Sequence, residues 1–448
     1  MLIELRIENY RSIRDEQALT FEAGRVSAPG DVRPRTVQGH THPLLPVAAL
    51  YGANASGKSN VLSGLGFMRD AVIDSHTSWP PQGGVPREAF AWNGRTGMPS
   101  MFEVTFLVNG VRHQYGFLVD QSRILEEWLF AWPKGRRQSW FEREADRFSF
   151  GEHLSGENRV VEQITRPNAL FLSTAAQHQH EQLLPIHGWF RQLRTVRVEG
   201  YKERYADAMP AAVAAAVFAA AAAAAAASAS SSESMVRVYD IIPAPSDQIG
   251  ASSAAVALND ADAARLRRLM KAADTGISDF RIEKVRNPQG ASKNNLRRIS
   301  MRHEVGEGDA WLPLEQESAG TKALFRLGPS VIEALTHGSL IVIDELEASL
   351  HPLIAAQIVS QFNDPTTNPR NAQLLFTTHD TSLLGTTRGE PLLRRDQIWL
   401  TEKDTGGATT LYPLTDYKPR KAENLERGYL QGRYGAIPFL GELSRVAE

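Results

Sequence analysis

The sequence predicts an α/β fold that opens near the N terminus, accepts a long insertion and closes near the C terminus. Three observations predict it. A glycine-rich loop, "GANASGKS" (Gly52 to Ser59), lies between a strand pattern and a helix pattern. An aliphatic run, Leu340 to Ile343, ends in the adjacent carboxylates Asp344 and Glu345. A second apolar run, "AQLLFTTHD", ends at His379 and Asp380. Runs of this kind suit parallel strands buried on both faces.

Taken in order, Leu2 to Phe21 alternates apolar and polar residues, as one or two strands do. "PVAALYG" is a short strand feeding the glycine loop, and "NVLSGLGFMRDAVI" has helical spacing, with Leu62, Leu65 and Met68 on one face. "FEVTFLVNGVRHQYGFLVD" alternates around an Asn109–Gly110 turn and reads as an antiparallel hairpin. "ILEEWLFAW" and "RQSWFEREADRFSFG" continue in that style, and from about Arg166 to Lys284 helical patterns dominate. The stretch 211–234 is nearly pure alanine and serine. A low-complexity helix and linker and a placeholder for residues of unknown identity are both open readings, and no function attaches to it. From Trp311 onward helix and strand alternate again. The expected organisation is 1–125 as the N-terminal part of an α/β head, 126–310 as an inserted β/helical lobe, and 311–448 as the C-terminal part of the head.

Composition excludes some chemistry. The chain of 448 residues has no cysteine, so it makes no disulfide and has no thiolate catalysis or cysteine-held metal. With 42% hydrophobic and 22% charged residues it is ordinary for a globular protein. A net charge of -2 gives no whole-chain attraction to nucleic acid or an acidic membrane. The alanine run lacks leucine and isoleucine and is not expected to span a membrane. No signal-peptide pattern opens the sequence, and the expected compartment is the cytoplasm.

The chemistry gathers in four places. Gly52-x4-Gly57-Lys58-Ser59, with Asn54 and Asn60 beside it, fits a phosphate-binding P-loop. Its glycines let backbone N–H groups face phosphate oxygens at the positive end of a helix. Lys58 is expected at the β- and γ-phosphates of ATP and the Ser59 hydroxyl on Mg²⁺. Asp344 is expected to hold the Mg²⁺ shell and Glu345 to polarise the attacking water, the two pointing opposite ways at a strand tip. His379, at the next strand's end, is placed to sense the γ-phosphate. Finally "ESAGTKALF" puts Ser318, Gly320 and Thr321 at a second helix opening, a second anion site in a fold that needs one.

The set Gly52–Ser59, Ser318–Thr321, Asp344–Glu345, Ser349–His351 and His379 resembles the ABC-type ATPases, matching their Walker A, signature, Walker B, D-loop and switch-histidine elements in order. "LRIENYRSI" and "DELEASLHP" resemble the SMC-like and OLD-like branch. More narrowly, "LFLSTAAQHQHEQLLPIHGWF", "AADTGI", "DQIWLTEKD" and "GYLQGRYGAIPFL" resemble the RloA-like AAA-family ATPases of restriction-linked and abortive-infection operons. The resemblance implies a P-loop NTPase of ABC/SMC-head type with an antiparallel β subdomain and a compact inserted helical lobe. It also implies a sandwich homodimer with two ATPs between heads, Lys58 and Glu345 of one facing Ser318 and Gly320 of the other. Gln177 is its candidate lobe-linking glutamine, and Tyr10 or Arg11 its candidates for the nucleotide edge. The signature reads Ser-Ala-Gly-Thr where transporters have Ser-Gly-Gly-Gln.

The function this implies is a nucleotide-gated sensor or scaffold of bacterial anti-phage defence, a dimer or larger, that controls a separately encoded effector, expected to be a nuclease. The chain is expected to lack a nuclease site of its own. Only 69 residues follow His379, and Asp396, Glu402, Asp404 and Asp416 read as scattered, solvated carboxylates. The alternative is a RecF-like DNA repair or maintenance ATPase that binds DNA directly. Its candidate basic clusters are Lys134, Arg136 and Arg137, then Arg265, Arg267 and Arg268, then Lys293, Arg297 and Arg298. A transporter motor is disfavoured by the long gap between Gly57 and Ser318 and by the signature. His178 and His180 are too isolated to suggest a metal site.

Overall fold

The computed structural model describes residues 1–25, 30–197, 236–237, 257–258, 260–273, 276–285, 296–305, 308–385, 391–419 and 423–438. The alanine–serine tract and Lys293 lie outside these residues, as do the side chains of Arg297 and Arg298. The chain forms two compact units, one of Met1–Val196, His337–Glu347 and Ala355–Glu448, the other of Arg197–Thr336 and Ala348–Ile354.

The strands follow in chain order: β1 (Leu2–Glu8), β2 (Gln17–Thr20), β3 (Val47–Gly52), β4 (Ser100–Val108), β5 (Val111–Val119), β6 (Ile124–Trp132), β7 (Gln138–Glu144), β8 (Arg147–Phe150) and β9 (Arg194–Arg197). They continue with the short β10 (Val236–Arg237) and β11 (Ala257–Leu258), then β12 (Ile277–Val285), β13 (Leu296–Val305) and β14 (Gly308–Pro313). The last four are β15 (Leu340–Asp344), β16 (Gln373–Thr377), β17 (Ile398–Lys403) and β18 (Thr409–Pro413).

In the first unit, β2-β1-β4-β5-β6-β7-β8 form an antiparallel sheet, continuous through residue 125. The Asn109–Gly110 turn supplies two positive φ angles (51° and 71°) between β4 and β5, as a tight hairpin requires. The second sheet runs β18-β17-β3-β16-β15-β9. Within it β17, β3, β16 and β15 are parallel. Every residue of β3 and β16, and the first four of β15, are buried, which explains the apolar runs at their centres. Each fully buried Leu or Ile there contributes about 1.5–3 kcal/mol.

The helix Lys58–Asp74 carries the core of this unit. Its Leu65, Phe67 and Met68 share one apolar cluster with Phe102 and Phe117 of the antiparallel sheet and with Val342 and Leu375 of the parallel one. The buried Gln373 side chain ties the two sheets, accepting from Leu2 N (2.5 Å) and donating to Leu2 O (2.9 Å).

The second unit corrects one expectation. Helical patterns were expected to run to Lys284, yet β12, β13 and β14 form an antiparallel sheet beside the helix Asp260–Ala273. Pairing decides: β12 binds β13 along its whole length, with Ile277 and Phe280 buried. In a short segment such cross-strand contacts outweigh weak helical periodicity. No helix among the described residues is long and apolar enough to cross a membrane.

Candidate active site

The strand order places three tips side by side. β16 lies between β3 and β15, so Gly52, Thr377 and Asp344 end adjacent parallel strands at their C-terminal edge. Ligands of open α/β sheets bind along that edge.

The loop after β3 is a turn closed by Ser56 N donating to Ala53 O (3.2 Å). Ala55 (φ 61°) and Gly57 (φ 107°) both take the left-handed conformation. At Gly57 a Cβ would lie 2.0 Å from Thr409 Oγ1, so only glycine fits. Gly57 also caps the Lys58–Asp74 helix with no side-chain hydrogen bond, leaving first-turn N–H groups for a ligand. A polar network backs the loop: Asn60 Nδ2 donates to Ser12 Oγ (2.6 Å), Ser12 and Thr409 share a hydroxyl bond (2.7 Å), and Thr409 Oγ1 donates to Ser56 O (2.8 Å). Asn54 is exposed on the loop.

Lys58 is buried, and its ammonium donates to Gly52 O (2.8 Å) and Ala53 O (3.1 Å). Burial lowers its pKa to about 8, against the opposing pull of Asp344, Glu345 and Glu347. Ser59 Oγ donates to Asp344 Oδ1 (2.9 Å), although 285 positions separate them. A hydroxyl and a carboxylate oxygen side by side next to a phosphate loop are the hard oxygen donors Mg²⁺ takes, so these residues fit that ion.

Thr377, fully buried, organises the acidic pair and carried no signal in the sequence reading. Its Oγ1 donates to Asp344 Oδ1 (2.8 Å) and accepts from Glu345 N (2.7 Å). The expectation that Asp344 and Glu345 alternate along one strand is corrected here. β15 stops at Asp344, and Glu345 is exposed in a left-handed turn (φ 56°). The turn, rather than the pleat, separates the two carboxylates.

His379 is exposed just past β16. Desolvation and then the Lys58 charge push its pKa below the usual imidazole value, against Glu347, Glu345 and Asp344. Its backbone N–H donates to Glu347 Oε1 (2.5 Å), a second residue the sequence reading passed over. Tyr429, of the stretch "GYLQGRYGAIPFL", comes close to this corner. Tyr51 Oη donates to Asp380 O (3.1 Å), its ring packs on Tyr429 (5.7 Å), and Thr381 Oγ1 bonds Glu426 Oε1 (3.4 Å).

In the second unit Ser318 caps the helix Ala319–His337, its Oγ accepting from Thr321 N (3.1 Å) and pairing with Thr321 Oγ1 (2.9 Å). A Cβ on Gly320 would lie 2.9 Å from Ser349 O, which limits that position to glycine.

Other expected residues stand elsewhere. Gln177 is exposed at the end of the helix Phe171–Gln177, and no hydrogen bond among the described residues joins it to the loop. Tyr10 is 1% exposed, with its ring on Phe67 and Phe102, so it belongs to the core and not to a nucleotide edge. Arg11 forks onto Glu88 (3.1 and 2.9 Å). Asp396, expected to be solvated, is buried and grips Arg394 with both oxygens (2.8 and 2.7 Å) while Arg394 also reaches Asp31 (2.7 Å). Arg267 pairs with Asp279 and Arg265 with Asp262, so that basic cluster is partly neutralised. Lys134, Arg136 and Arg137 are exposed, Arg137 lying over the Phe130 ring (3.6 Å).

Comparison with known proteins places this geometry. A search of curated proteins finds no match. Among solved structures, the chain is similar to an SMC head domain from Thermotoga maritima, at 13% identity over 92% of this chain and 98% of that one, with a TM-score of 0.38. It is similar also to an SMC head bound to the C-terminal winged-helix domain of ScpA, at 11% identity over 92% and 96%, with a TM-score of 0.37. Residues 47–385, which hold the phosphate loop, the signature turn, the acidic pair and His379, match the family described as "AAA domain, putative AbiEii toxin, Type IV TA system". The chain belongs to this AAA family.

Proposed function

We propose that the protein is an ABC-type ATPase that binds and hydrolyses ATP, and that it works as a nucleotide-gated dimeric scaffold in bacterial anti-phage defence, controlling a separately encoded effector. One observation carries the enzymatic part: Lys58, Ser59, Asp344, Glu345 and His379 meet at three adjacent strand tips, with Thr377 joining both carboxylate positions. The family's description, which names a type IV toxin–antitoxin system, supports the defence part.

In this reading the phosphate chain of ATP lies on the loop N–H groups, and Lys58 moves its ammonium from two carbonyls to phosphate oxygens. Ser59 and Asp344 hold Mg²⁺, which when bound neutralises phosphate charge. Glu345 takes a proton from the attacking water. The water oxygen bonds to the γ-phosphorus while the bond to the bridging oxygen breaks, giving ADP and phosphate. His379, whose imidazole feels the charges of Lys58 and the nearby carboxylates, is assigned to respond to the γ-phosphate. Ser318 and Gly320 serve the nucleotide of a second protomer, which gives a hydroxyl-capped helix opening in a one-nucleotide fold a purpose.

The test is Glu345→Gln. We expect ATP binding to persist and turnover to fall roughly 10²–10⁴-fold; unchanged hydrolysis overturns the assignment. The mass of this variant, co-expressed with its genomic neighbours, is then measured with and without Mg-ATP. A dimer or larger assembly carrying a second gene product supports the scaffold. A bare protein that dimerises only with ATP and binds DNA in a salt-sensitive way favours direct DNA maintenance instead, through the exposed Lys134, Arg136 and Arg137.

A further inference from the structure

The turns after β15 and β16 are fastened to each other twice, in opposite directions. From β16, Thr377 reaches across: its Oγ1 receives Glu345 N, and its carbonyl receives Leu346 N (3.1 Å). From the β15 side, Glu347 reaches back and takes the His379 N–H at 2.5 Å. This last bond closes the corner. His379 lies beyond the end of β16, where no ladder bond holds its amide, and the Glu347 carboxylate replaces the missing partner. A backbone N–H bonded to an ionised carboxylate is shorter and about twice as strong as a neutral pair.

The other oxygen, Glu347 Oε2, is buried and has no hydrogen-bond partner among the described residues. A carboxylate oxygen shielded from water and left unpaired is costly. The bond made by the other oxygen, Oε1, is therefore what fixes this side chain, at the corner where its charge acts on both Lys58 and His379.

We propose that Glu347 is a positioning residue for His379: it holds the histidine backbone in register with the acidic turn, so that the nucleotide is read by the histidine and the acidic pair as one unit. The role rests on the ATPase reading above but is measurable apart from it. Glu347 acts through His379 and is not assigned contact with the nucleotide. Glu347→Gln keeps a carbonyl acceptor of the same reach, whereas Glu347→Ala removes the acceptor.

The first measurement needs no nucleotide. Protein labelled with ¹⁵N at its 12 histidines gives a sparse amide spectrum, and His379→Ala identifies the His379 peak by its loss. In the full-length chain we expect this amide to be displaced downfield and slow to exchange. Glu347→Ala should move it and speed its exchange while the other histidine amides stay in place, and Glu347→Gln should restore most of the protection. An unmoved His379 amide in Glu347→Ala overturns the proposal, as does a Glu347→Gln spectrum matching that of Glu347→Ala. If the spectrum shifts throughout, the alanine variant has misfolded, and Glu347→Asp, whose shorter side chain withdraws the acceptor from the His379 amide, takes its place: an unmoved His379 amide in Glu347→Asp overturns the proposal.

The second measurement is steady-state ATP hydrolysis. Glu347→Ala should lower kcat by about 10-fold or more, the worth of one charge-assisted hydrogen bond, with KM for Mg-ATP changed far less. Glu347→Gln should recover most of the loss. A wild-type kcat in Glu347→Ala overturns the functional half. If wild-type protein hydrolyses no ATP at all, the ATPase reading fails, while the amide spectrum still decides whether Glu347 holds His379.

Discussion

The phosphate-loop corner and the signature turn are both assigned to anion binding in the proposed function, yet they are built in opposite ways. At the corner, the deciding contacts join residues far apart in the chain: Ser59 to Asp344 across 285 positions, Thr377 to Asp344 across 33, His379 to Glu347 across 32. The signature turn is built mainly from near neighbours, with Ser318 bonding Thr321 three positions on, while Gly320 meets the Ser349 carbonyl and Glu317 bonds His303. A local turn keeps its shape wherever its helix goes, and suits a surface presented to a partner. A corner assembled from several strand tips keeps its shape only while the sheet is in register, and suits chemistry that needs atoms fixed to a fraction of an ångström.

If that contrast has functional meaning, damage to the signature turn is supplied from outside and damage to the corner is not. Ser318→Arg puts a long cation where a small hydroxyl caps the helix, and we expect turnover by the pure variant to be abolished while ATP binding at the loop persists. Mixed with Lys58→Ala chains, it should recover part of the activity, since each hybrid dimer keeps one intact composite site. Activity is measured across mixing ratios. No recovery at any ratio breaks the comparison by showing that the two sites do not complement each other between chains.

Thr377 tests the corner itself. Thr377→Val preserves shape but loses a hydroxyl that donates to Asp344 and accepts from Glu345. Two lost bonds, one to a charge, predict a roughly 10–100-fold fall in kcat. Thr377→Ser should restore most of it, because the oxygen and not the methyl makes both bonds. Equal kinetics for the valine variant and wild type would show that the strand tips hold the acidic pair without help.

The same contrast explains what the sequence disclosed. The glycine loop, its helix and the buried strands were legible because their signals are local: positive-φ glycines, helical spacing, unbroken aliphatic runs. The strand ends that carry Asp344 and Thr377 were marked by their aliphatic runs, but the turn that holds Glu345 was not. The contacts of Thr377 and Glu347 were not legible, since a threonine ending a strand and a glutamate in a turn acquire meaning only from the parallel register of β15 and β16. Asp396 looked solvated because its partner Arg394, and Asp31 on the other side of that arginine, are read as ordinary surface charges until the fold buries them together. Tyr10 misled in the reverse direction: the family resemblance implied a nucleotide edge, and the aromatic core claimed it. The strands β12 to β14 escaped because their alternation is interrupted by charged residues and is stabilised by pairing across the sheet.

The smallest expected effect is the most specific to this corner. Burial lowers the Lys58 pKa to about 8, so the free loop begins to lose its cation just above neutral pH. Phosphate oxygens favour the ammonium, so the bound state holds the proton to higher pH than the free state does. Binding is therefore at full strength below about pH 8 and weakens as pH rises above it, because the proton must be taken up again for the nucleotide to bind. The loss approaches about tenfold in affinity per pH unit until the bound-state pKa is reached. Equilibrium binding of ATP to Glu345→Gln, which separates affinity from turnover, measured from pH 7 to 9.5 shows the slope. Lys58→Arg keeps its charge throughout that range, so any binding it retains should be flat with pH. A flat profile in the parent protein would mean that the two loop carbonyls and three nearby carboxylates hold the ammonium protonated against its burial, and that the loop meets its nucleotide already charged.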